Sequence, residues 1–451
     1  MLEILFTYLI FNLIIRSVNW GIYILVGSSI RVLTKIKTYT FEVSQLFVDW
    51  YRILIVLICI ILRVTLITLP YYPYFFVFEY YITILAVLYL SILFFCVDRI
   101  FRFFFFFEFL LVPILLIIFG WGYQPERLIA SYYLLIYSFT SGIPLLIRIF
   151  YVYVITGSQR FFFLAKFKTA INIYLIIGLI LAILVKIPLY GFHIWLPKVH
   201  VEAPTKGRIV LAGIFLKLGG YGLIRIVNIT YISVNVFFIS WCILGSLITR
   251  WICLTINDRK KLIAFSSVRH ITLITIILIY SSIIRNSGAI FGLFSHGFSS
   301  RGLFFIVGTI MIKIITRNLF KIKHIISNNN LFVICLFIFT AANFAIPPLL
   351  RLLAELIMNW GALIIDIIIL YLNRVLIFMV CAYRIYSFYK ISFRNSRSTI
   401  LFYNYWNTQE VTWCVVIFYP ILLYIFILNA SSFFFIRNFE YDKLQKNTNK
   451  S

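Results

Sequence analysis

The stretch VKIPLYGFHIWLPKVHVEAPTKGRIVLAGIFLKLGGYGLIR at 185–225 combines the features that decide the fold. Its apolar runs are interrupted by an Ile-Pro step and by two lysines, Lys186 and Lys217. Pro188 lacks a backbone donor and clashes with the carbonyl four residues earlier, so a helix should break there and free the carbonyl of Leu184. The three glycines that follow Lys217 leave space for water or for a closely packed helix. The stretch therefore predicts a broken apolar helix followed by a helix with a buried lysine.

The composition of the whole chain excludes a set of water-soluble domains. Of the 451 residues, 63% are hydrophobic and only 12% are charged, and the mean hydropathy is +1.03. A soluble domain has roughly 45–50% apolar and about 25% charged residues. Because one spanning helix with its loop uses about 30 residues, the chain has room for about fourteen spans. We predict an all-α, polytopic transmembrane helix bundle.

We predict four parts of the chain. They are N-terminal transmembrane helices at 1–97, a core at 98–392, a C-terminal transmembrane helix at 393–437 and a polar tail at 438–451.

A second Ile-Pro step, in FAIPPLLRLLAE at 344–355, resembles the first. It also lies in an apolar run beside an ionisable residue, Glu355. Proline-interrupted segments at corresponding positions in two halves of a chain are typical of the ion path of a transporter. We therefore expect broken helices near Pro188 and Pro347.

Four ionisable residues lie deep in predicted spans, namely Glu108, Lys186, Lys217 and Glu355. An ionised side chain in hydrocarbon costs at least about 2.5–3.5 kcal/mol, so each position needs a reason. One interpretation is that each residue reaches an interface or forms a structural ion pair. Two acids and two lysines on separate spans with two proline breaks favour a proton relay.

The net charge of +26, from 40 Lys+Arg against 14 Asp+Glu, does not indicate nucleic acid binding. The cations are scattered between apolar runs and form no basic face, which favours contact with anionic lipid. Seven cysteines stand singly without a CxxC pair, so neither a disulfide framework nor an iron–sulfur or zinc site is predicted.

The five histidines lack the spacing of facing haem or metal ligands, and we predict no metal site. His296 lies in an apolar run and could take part in proton transfer. His193 and His200 are expected in a loop between spans, where they would donate structural hydrogen bonds. His270 and His324 are expected near the ends of spans.

Several motifs carry a resemblance to a known family. They are WGYQPERLIASYYLLIYSFTSG at 121–142, the 185–225 stretch, NDRKKLIAFSSVRH at 257–270 and SHGFSSRGLFF at 295–305. With these motifs the chain resembles the subunit 4 family of mitochondrial NADH:ubiquinone oxidoreductase, respiratory complex I. The similarity runs from about Phe104 to Glu355.

The resemblance implies an antiporter-like unit of fourteen helices, built from two inverted five-helix repeats with broken seventh and twelfth helices. In this family a glutamate pairs with a lysine beside a proline, a second lysine follows, and an acid ends the series. These positions correspond to Glu108, Lys186, Lys217 and Glu355, with His296 as a further candidate for the relay. Sister subunits resemble the chain but have a lysine in place of Glu355.

The resemblance also implies a proton-translocating role in the mitochondrial inner membrane, with no cofactor bound by this chain. NADH, flavin, iron–sulfur clusters and ubiquinone would belong to partner subunits. The expected partners are sister antiporter-like subunits and lipids, with no nucleic acid. Two alternatives stay open: a subunit of a secondary cation/proton antiporter, and a passive structural membrane subunit.

The sequence departs from the family pattern where arginine replaces an expected small polar residue, often serine. These positions are Arg208, Arg269, Arg301 and Arg351. Arg63 and Arg148 also interrupt apolar runs. One hypothesis is that the codons are AGA or AGG, which most invertebrate mitochondria read as serine. A true Arg351 would lie one turn before Glu355, within reach of an ion pair that hinders proton acceptance.

Overall fold

A computed structural model describes most of the predicted core. The described residues are 77–166, 173–230, 236–279, 283–314, 330–347, 349–363 and 367–392, with Glu410, Cys414, Ile417 and Phe418. The spans predicted before residue 77, most of the C-terminal helix, the polar tail, Arg63 and His324 lie outside these residues.

The secondary structure of the described residues is helical, apart from one isolated antiparallel bridge between Arg99 and Arg160. The helices are α1 (Val77–Cys96), α2 (Ile100–Phe109), α3 (Leu111–Trp121), α4 (Arg127–Thr156), α5 (Phe161–Lys166), α6 (Ile173–Lys186), α7 (Trp195–Glu202), α8 (Thr205–Val210), a π-helical turn (Leu211–Phe215), α9 (Leu216–Ile229), α10 (Val236–Thr255), α11 (Arg259–Ile279), α12 (Ile283–Ile314), α13 (Asn330–Asn343), α14 (Leu350–Leu363) and α15 (Ile367–Ser392).

Seven helical segments of the described chain are long and apolar enough to cross a membrane. They are Phe78–Cys96, Ile100–Trp121, Arg127–Thr156, Thr205–Ile229, Phe237–Thr255, Arg259–Ile279 and Asn286–Met311. The prediction of an all-α polytopic bundle is confirmed. The total of about fourteen spans stays a prediction, because the described residues do not cover the whole chain.

Three segments occupy the centre of the bundle: Thr205–Ile229, Arg259–Ile279 and Asn286–Met311 are almost entirely buried. The segment Arg127–Thr156 instead directs large apolar side chains outward, and Val154 is 79% exposed. Apolar side chains on the outside of a bundle are suited to lipid. The central segments are therefore shielded from lipid by the outer ones, and buried polar groups can lie there without contacting hydrocarbon.

The first predicted break occurs directly after Lys186, where α6 ends and eight residues of turns lead to α7. Since Pro188 has no N–H, the carbonyl of Leu184 accepts a long hydrogen bond of 3.5 Å from the N–H of Leu189. Leu184 is therefore weakly bonded and not free as predicted. The next carbonyl, that of Val185, accepts a hydrogen bond from the indole of Trp195 at 3.0 Å.

The second predicted break separates α13 from α14. Ala345 has a φ of 61°, a left-handed conformation that is costly for a residue with a Cβ. Pro347 follows, and the N–H of Leu349 donates to the carbonyl of Ile346 at 3.0 Å before α14 begins. Both helix breaks are thus present where the Ile-Pro steps predicted them.

The π-helical turn at Leu211–Phe215 is not predicted by the sequence pattern. It lies within an otherwise continuous helical segment from Thr205 to Ile229. In a π-turn each backbone N–H bonds to the carbonyl five residues earlier, whereas in an α-helix it bonds to the carbonyl four residues earlier. Such turns often occur at functional sites. Lys217 follows this turn by two residues, so the irregularity determines its position.

Candidate functional site

Lys186 and Glu108 form an ion pair between α6 and α2. The Lys186 Nζ lies 3.3 Å from the Glu108 Oε1. The same ammonium donates to the carbonyl of Phe107 and lies 3.3 Å from the centroid of that ring. The Lys186 side chain is 2% exposed, whereas that of Glu108 is 25% exposed. The pair therefore has a buried cation and a carboxylate at the edge of the protein interior.

Glu108 lies at a discontinuity between α2 and α3. Pro113 cannot donate to the carbonyl of Phe109, and α2 ends at that residue. On the opposite side, Gly142 of α4 approaches Glu108 so closely that a Cβ there would lie 3.2 Å from its carboxyl carbon. The kink and the small residue together leave room for the carboxylate to face Lys186.

Lys217 is buried in the central segment, with 1% of its surface exposed. Its ammonium donates to the carbonyl of Ala212 in the π-turn at 2.5 Å. It also lies 3.4 Å from the Nδ1 of His296 on α12. A lysine and an imidazole at this distance can exchange a proton directly or through a small adjustment.

The row of polar groups continues from His296 to His270, which lies on α11. The two rings have a centroid separation of 5.8 Å and an interplanar angle of 56°. Both histidines are almost fully buried. His270 in turn contacts the guanidinium groups of Arg269 and Arg351.

Glu355 lies on α14, after the second break. Its Oε1 accepts a hydrogen bond from the Nε of Arg351 at 3.1 Å, and the Nη2 of Arg269 lies 3.9 Å away. The side chain of Glu355 is 13% exposed. The structure therefore brings Lys217, His296, His270 and Glu355 into one region, with Arg351 linking the last two.

The Glu108–Lys186 pair adjoins this region through aromatic and backbone contacts. The Lys186 Nζ lies 5.9 Å from the centroid of Phe215, the last residue of the π-turn. Gly219 packs against the chain break, so that a Cβ there would lie 3.1 Å from the backbone nitrogen of Ile187. Helix α9 is consequently held against the break that carries Lys186.

We expect Gly219→Ala to lower the stability of the purified protein in detergent by about 1–3 kcal/mol, because the new methyl group would lie 2.5 Å from the Ile187 side chain. The backbone nitrogen behind it limits how far Ile187 can move. Thermal unfolding monitors the change. Gly120→Ala is the matched control, since no atom lies within 4 Å of its Cβ, and it should change stability by less than about 0.5 kcal/mol. Equal effects of the two substitutions would contradict this packing.

The predicted placement of His193 and His200 needs correction. His193 does lie in the turns after the first break, but its Nδ1 accepts a hydrogen bond from the N–H of Gly191 at 3.3 Å, so it is an acceptor there. His200 lies in α7 and not in a loop, and its ring stacks on Phe304 at 4.7 Å. Neither ring nitrogen of His200 has a hydrogen-bond partner among the described residues.

The structure also corrects the prediction for His270. It lies in the middle of α11 and not near a span end, and it is the residue that contacts both His296 and Arg351. The available signal was its position within the long apolar segment 262–284. A histidine there cannot reach an interface as easily as a lysine can, because its side chain is short.

No group of three or more His, Cys, Asp or Glu suited to a metal ion occurs among the described residues.

Comparison with known proteins decides the family. Residues 97–381 match the family described as "NADH:quinone oxidoreductase/Mrp antiporter, TM". The match includes Glu108, Lys186, Lys217, His296 and Glu355. The chain belongs to this NADH:quinone oxidoreductase/Mrp antiporter family.

Curated members of the family include proteins named NADH-ubiquinone oxidoreductase chain 4. That of Albinaria caerulea is 35% identical over 306 residues, covering 66% of this chain and 69% of the relative. That of Ceratitis capitata is 36% identical over 286 residues, covering 62% and 64%. That of Artemia franciscana is 36% identical over 307 residues, covering 68% and 78%. The sequence-based family assignment is confirmed.

Two solved structures share the fold. A chain of respiratory complex I from Thermus thermophilus with bound NADH superposes with a TM-score of 0.73 at 18% identity, covering 85% of this chain and 81% of that chain. A chain of the membrane-bound sulfane sulfur reductase, an archaeal respiratory membrane complex, gives a TM-score of 0.76 at 16% identity, covering 84% and 80%. The antiporter-like fold is thus common to respiratory membrane complexes.

Proposed function

We propose that this chain is a proton-translocating membrane-arm subunit of respiratory NADH:ubiquinone oxidoreductase, located in the mitochondrial inner membrane. The single observation that carries the proposal is the contact between buried Lys217 and buried His296, at the centre of a bundle of the NADH:quinone oxidoreductase/Mrp antiporter family. Chain 4 relatives from animals support the assignment to that enzyme. NADH oxidation and ubiquinone reduction take place in partner subunits, which hold the flavin and iron–sulfur clusters.

The relay begins with the ion pair of Glu108 and Lys186. The carboxylate stabilises the charged form of Lys186, whose ammonium is otherwise deprived of water. When a conformational or electrostatic change separates the pair, the positive charge of Lys186 acts on Lys217. Like-charge repulsion then favours release of the proton from Lys217.

His296 receives the proton, because its Nδ1 is 3.4 Å from the Lys217 ammonium. His270 is the next titratable group and leads toward Glu355. Moving one charge against the membrane potential costs about 2.3 kcal/mol per 100 mV. The redox part of the enzyme has to supply this energy, since the chain itself performs no redox chemistry.

The proposed division of the chain places the relay in a core of 98–392, flanked by N-terminal helices at 1–97. A C-terminal helix at 393–437 and a polar tail at 438–451 complete it. The family match at 97–381 supports the core. Sister antiporter-like subunits and lipids are the proposed neighbours of the outer apolar surface.

We expect His296→Gln to lower proton pumping per NADH oxidised by at least about 10²-fold, because an amide cannot take up and release a proton as an imidazole does. The measurement is proton uptake by proteoliposomes that contain the intact complex. His200→Phe is the matched control, because a phenyl ring preserves the stack on Phe304 and His200 has no hydrogen-bond partner among the described residues. Unchanged pumping in His296→Gln would refute the role of this histidine.

The family description also names Mrp antiporters, which favours a second candidate function. In that case the chain would exchange a cation for a proton without redox chemistry. Purification of the native assembly distinguishes the two: flavin and iron–sulfur subunits accompany the chain in the first case and are absent in the second.

A further inference from the structure

Six arginines are buried in the centre of the bundle, two more than the four that depart from the family pattern. Arg208, Arg269, Arg301 and Arg351 are all at most 4% exposed, and the structure adds Arg250 on α10 and Arg384 on α15 at 1% and 2%. Arginine is rarely buried unless it is paired with an acid. These positions therefore need counter-charges.

Four of these residues, Arg250, Arg269, Arg351 and Arg384, form one cluster. Arg269 is close enough to the other three for their like charges to repel. Glu355 is the carboxylate that acts on Arg250, Arg269 and Arg351. Among the described residues the cluster thus sets four guanidinium groups against one carboxylate. Several positive charges in a dry interior with too few counter-ions are strongly unfavourable.

The hydrogen bonding of the cluster is also incomplete. In Arg250, all three guanidinium nitrogens lack a hydrogen-bond partner among the described residues. In Arg269, Nε and Nη1 lack one, and so does the Nη1 of Arg351. Arg384 donates to the hydroxyl of Ser266 at 2.8 Å, which is a neutral partner. A buried donor without an acceptor costs the full loss of its hydration.

Other arginines of the same chain have ordinary surroundings. Arg225 is also buried, but its Nη2 lies 3.7 Å from the Asp98 carboxylate, and its Nε donates to the hydroxyl of Tyr221 at 2.8 Å. Arg127 donates to the carbonyls of Gly120 and Gly122 at 3.0 and 3.1 Å. Arg259, outside the cluster, also lacks acceptors for its three guanidinium nitrogens among the described residues. The four clustered positions are therefore distinguished by the repulsion between their like charges around one carboxylate, and at Arg250, Arg269 and Arg351 missing acceptors add to it.

A short hydroxyl side chain would satisfy the same positions. Nearby serines on α11 each donate to the carbonyl three residues earlier, as Ser266 does to Ile263 at 2.7 Å and Ser267 does to Ala264 at 2.6 Å. A serine within a helix can always use such a carbonyl, so it needs no partner from another helix. It would also bring no charge into the interior.

We propose that the natural protein has serine in place of arginine at positions 250, 269, 351 and 384, because the gene has AGA or AGG codons there that its mitochondrion reads as serine. The energetic reason is the same whether or not the chain moves protons. Failure of the proposed function would therefore leave this assignment intact.

The assignment changes the surroundings of Glu355. Without the guanidinium groups at 3.1 and 3.9 Å, no arginine of the cluster holds its carboxylate in an ion pair. His270 likewise loses its contacts to two cations. Both residues then become neighbours of hydroxyl groups and not of fixed positive charges, which suits groups that accept protons.

Two measurements on the natural material test the proposal. The native subunit is digested with a protease that does not cleave at arginine. Mass spectrometry then gives the masses of the peptides that contain positions 250, 269, 351 and 384. We expect each to be lighter by the mass difference between arginine and serine. Codon sequencing of the gene should show AGA or AGG at the four positions.

Arg225 and Arg127 are the internal controls, and their peptides should have the mass of arginine with CGN codons. Arginine masses at the four clustered positions would overturn the proposal. CGN codons at those positions would overturn it equally. Serine masses at the controls as well would show that codon reading is unrelated to the buried cluster, which also contradicts the structural argument.

Discussion

Replacing Lys217 with alanine is expected to abolish proton pumping coupled to NADH oxidation, while the complex still assembles. The substitution removes the ammonium that lies 3.4 Å from the Nδ1 of His296, so this histidine loses its proton donor. Loss of a proton-transferring side chain typically costs about 10²–10⁴-fold in rate. Assembly should survive because the methyl group leaves the surrounding apolar contacts in place. Proton uptake and NADH oxidation by proteoliposomes are measured together.

Lys261→Ala is the matched control for Lys217→Ala. It also removes a lysine, but one that is 49% exposed and pairs with Asp258 at the beginning of α11. We expect pumping close to that of the unmodified complex, since an exposed ion pair contributes little. Unimpaired pumping in Lys217→Ala would refute the assignment of that lysine. Equal losses in both variants would indicate a general effect of lowered positive charge.

Replacing Lys186 with methionine is the substitution with the second largest expected effect. Methionine fills a similar apolar volume but cannot carry the charge that acts on Lys217. We expect pumping to fall by at least about 10²-fold. The folded protein should lose little stability, because removing a cation that is only 2% exposed also removes the cost of burying it. Pumping and thermal unfolding are measured on the same preparation. Full pumping in this variant would remove Lys186 from the relay.

Glu108→Gln separates the functional from the structural role of the pair. Alone, it leaves the buried Lys186 ammonium without its carboxylate, which should cost about 2–3 kcal/mol of stability. The double variant with Lys186→Met should recover most of that stability, because no unpaired charge remains. It should not recover pumping. A double variant that is both stable and fully active would mean that the pair is structural only.

The positions of the four charged residues in the proposed relay were predictable because their cost is local. A charge in a long apolar segment is unfavourable in every fold, so Glu108, Lys186, Lys217 and Glu355 could be identified one at a time. The helix breaks were predictable for the same reason, since Pro188 and its counterpart at 347 remove backbone hydrogen bonds wherever they occur. The order of proton transfer in the proposed relay rests on the family resemblance.

The contacts of the histidines could not be predicted from hydropathy. His270 and His296 are 26 positions apart in the numbering but have ring centroids 5.8 Å apart, because α11 and α12 pack side by side. His200 lies in an equally suggestive stretch, yet it packs on Phe304 without a hydrogen-bond partner among the described residues. Hydropathy cannot separate these cases, since it records no distance between helices.

By itself, the sequence determined the apolar helical bundle, the two breaks, the family and the ionisable residues that have to be accommodated. Each of these follows from a cost that one segment carries alone, either a charge in hydrocarbon or a missing backbone donor. Only the tertiary structure decided which groups meet. The contact of Lys217 with His296, the link through His270, and the positions of Arg250 and Arg269 around Glu355 all depend on contacts between distant helices. Such contacts arise from packing that no single segment specifies.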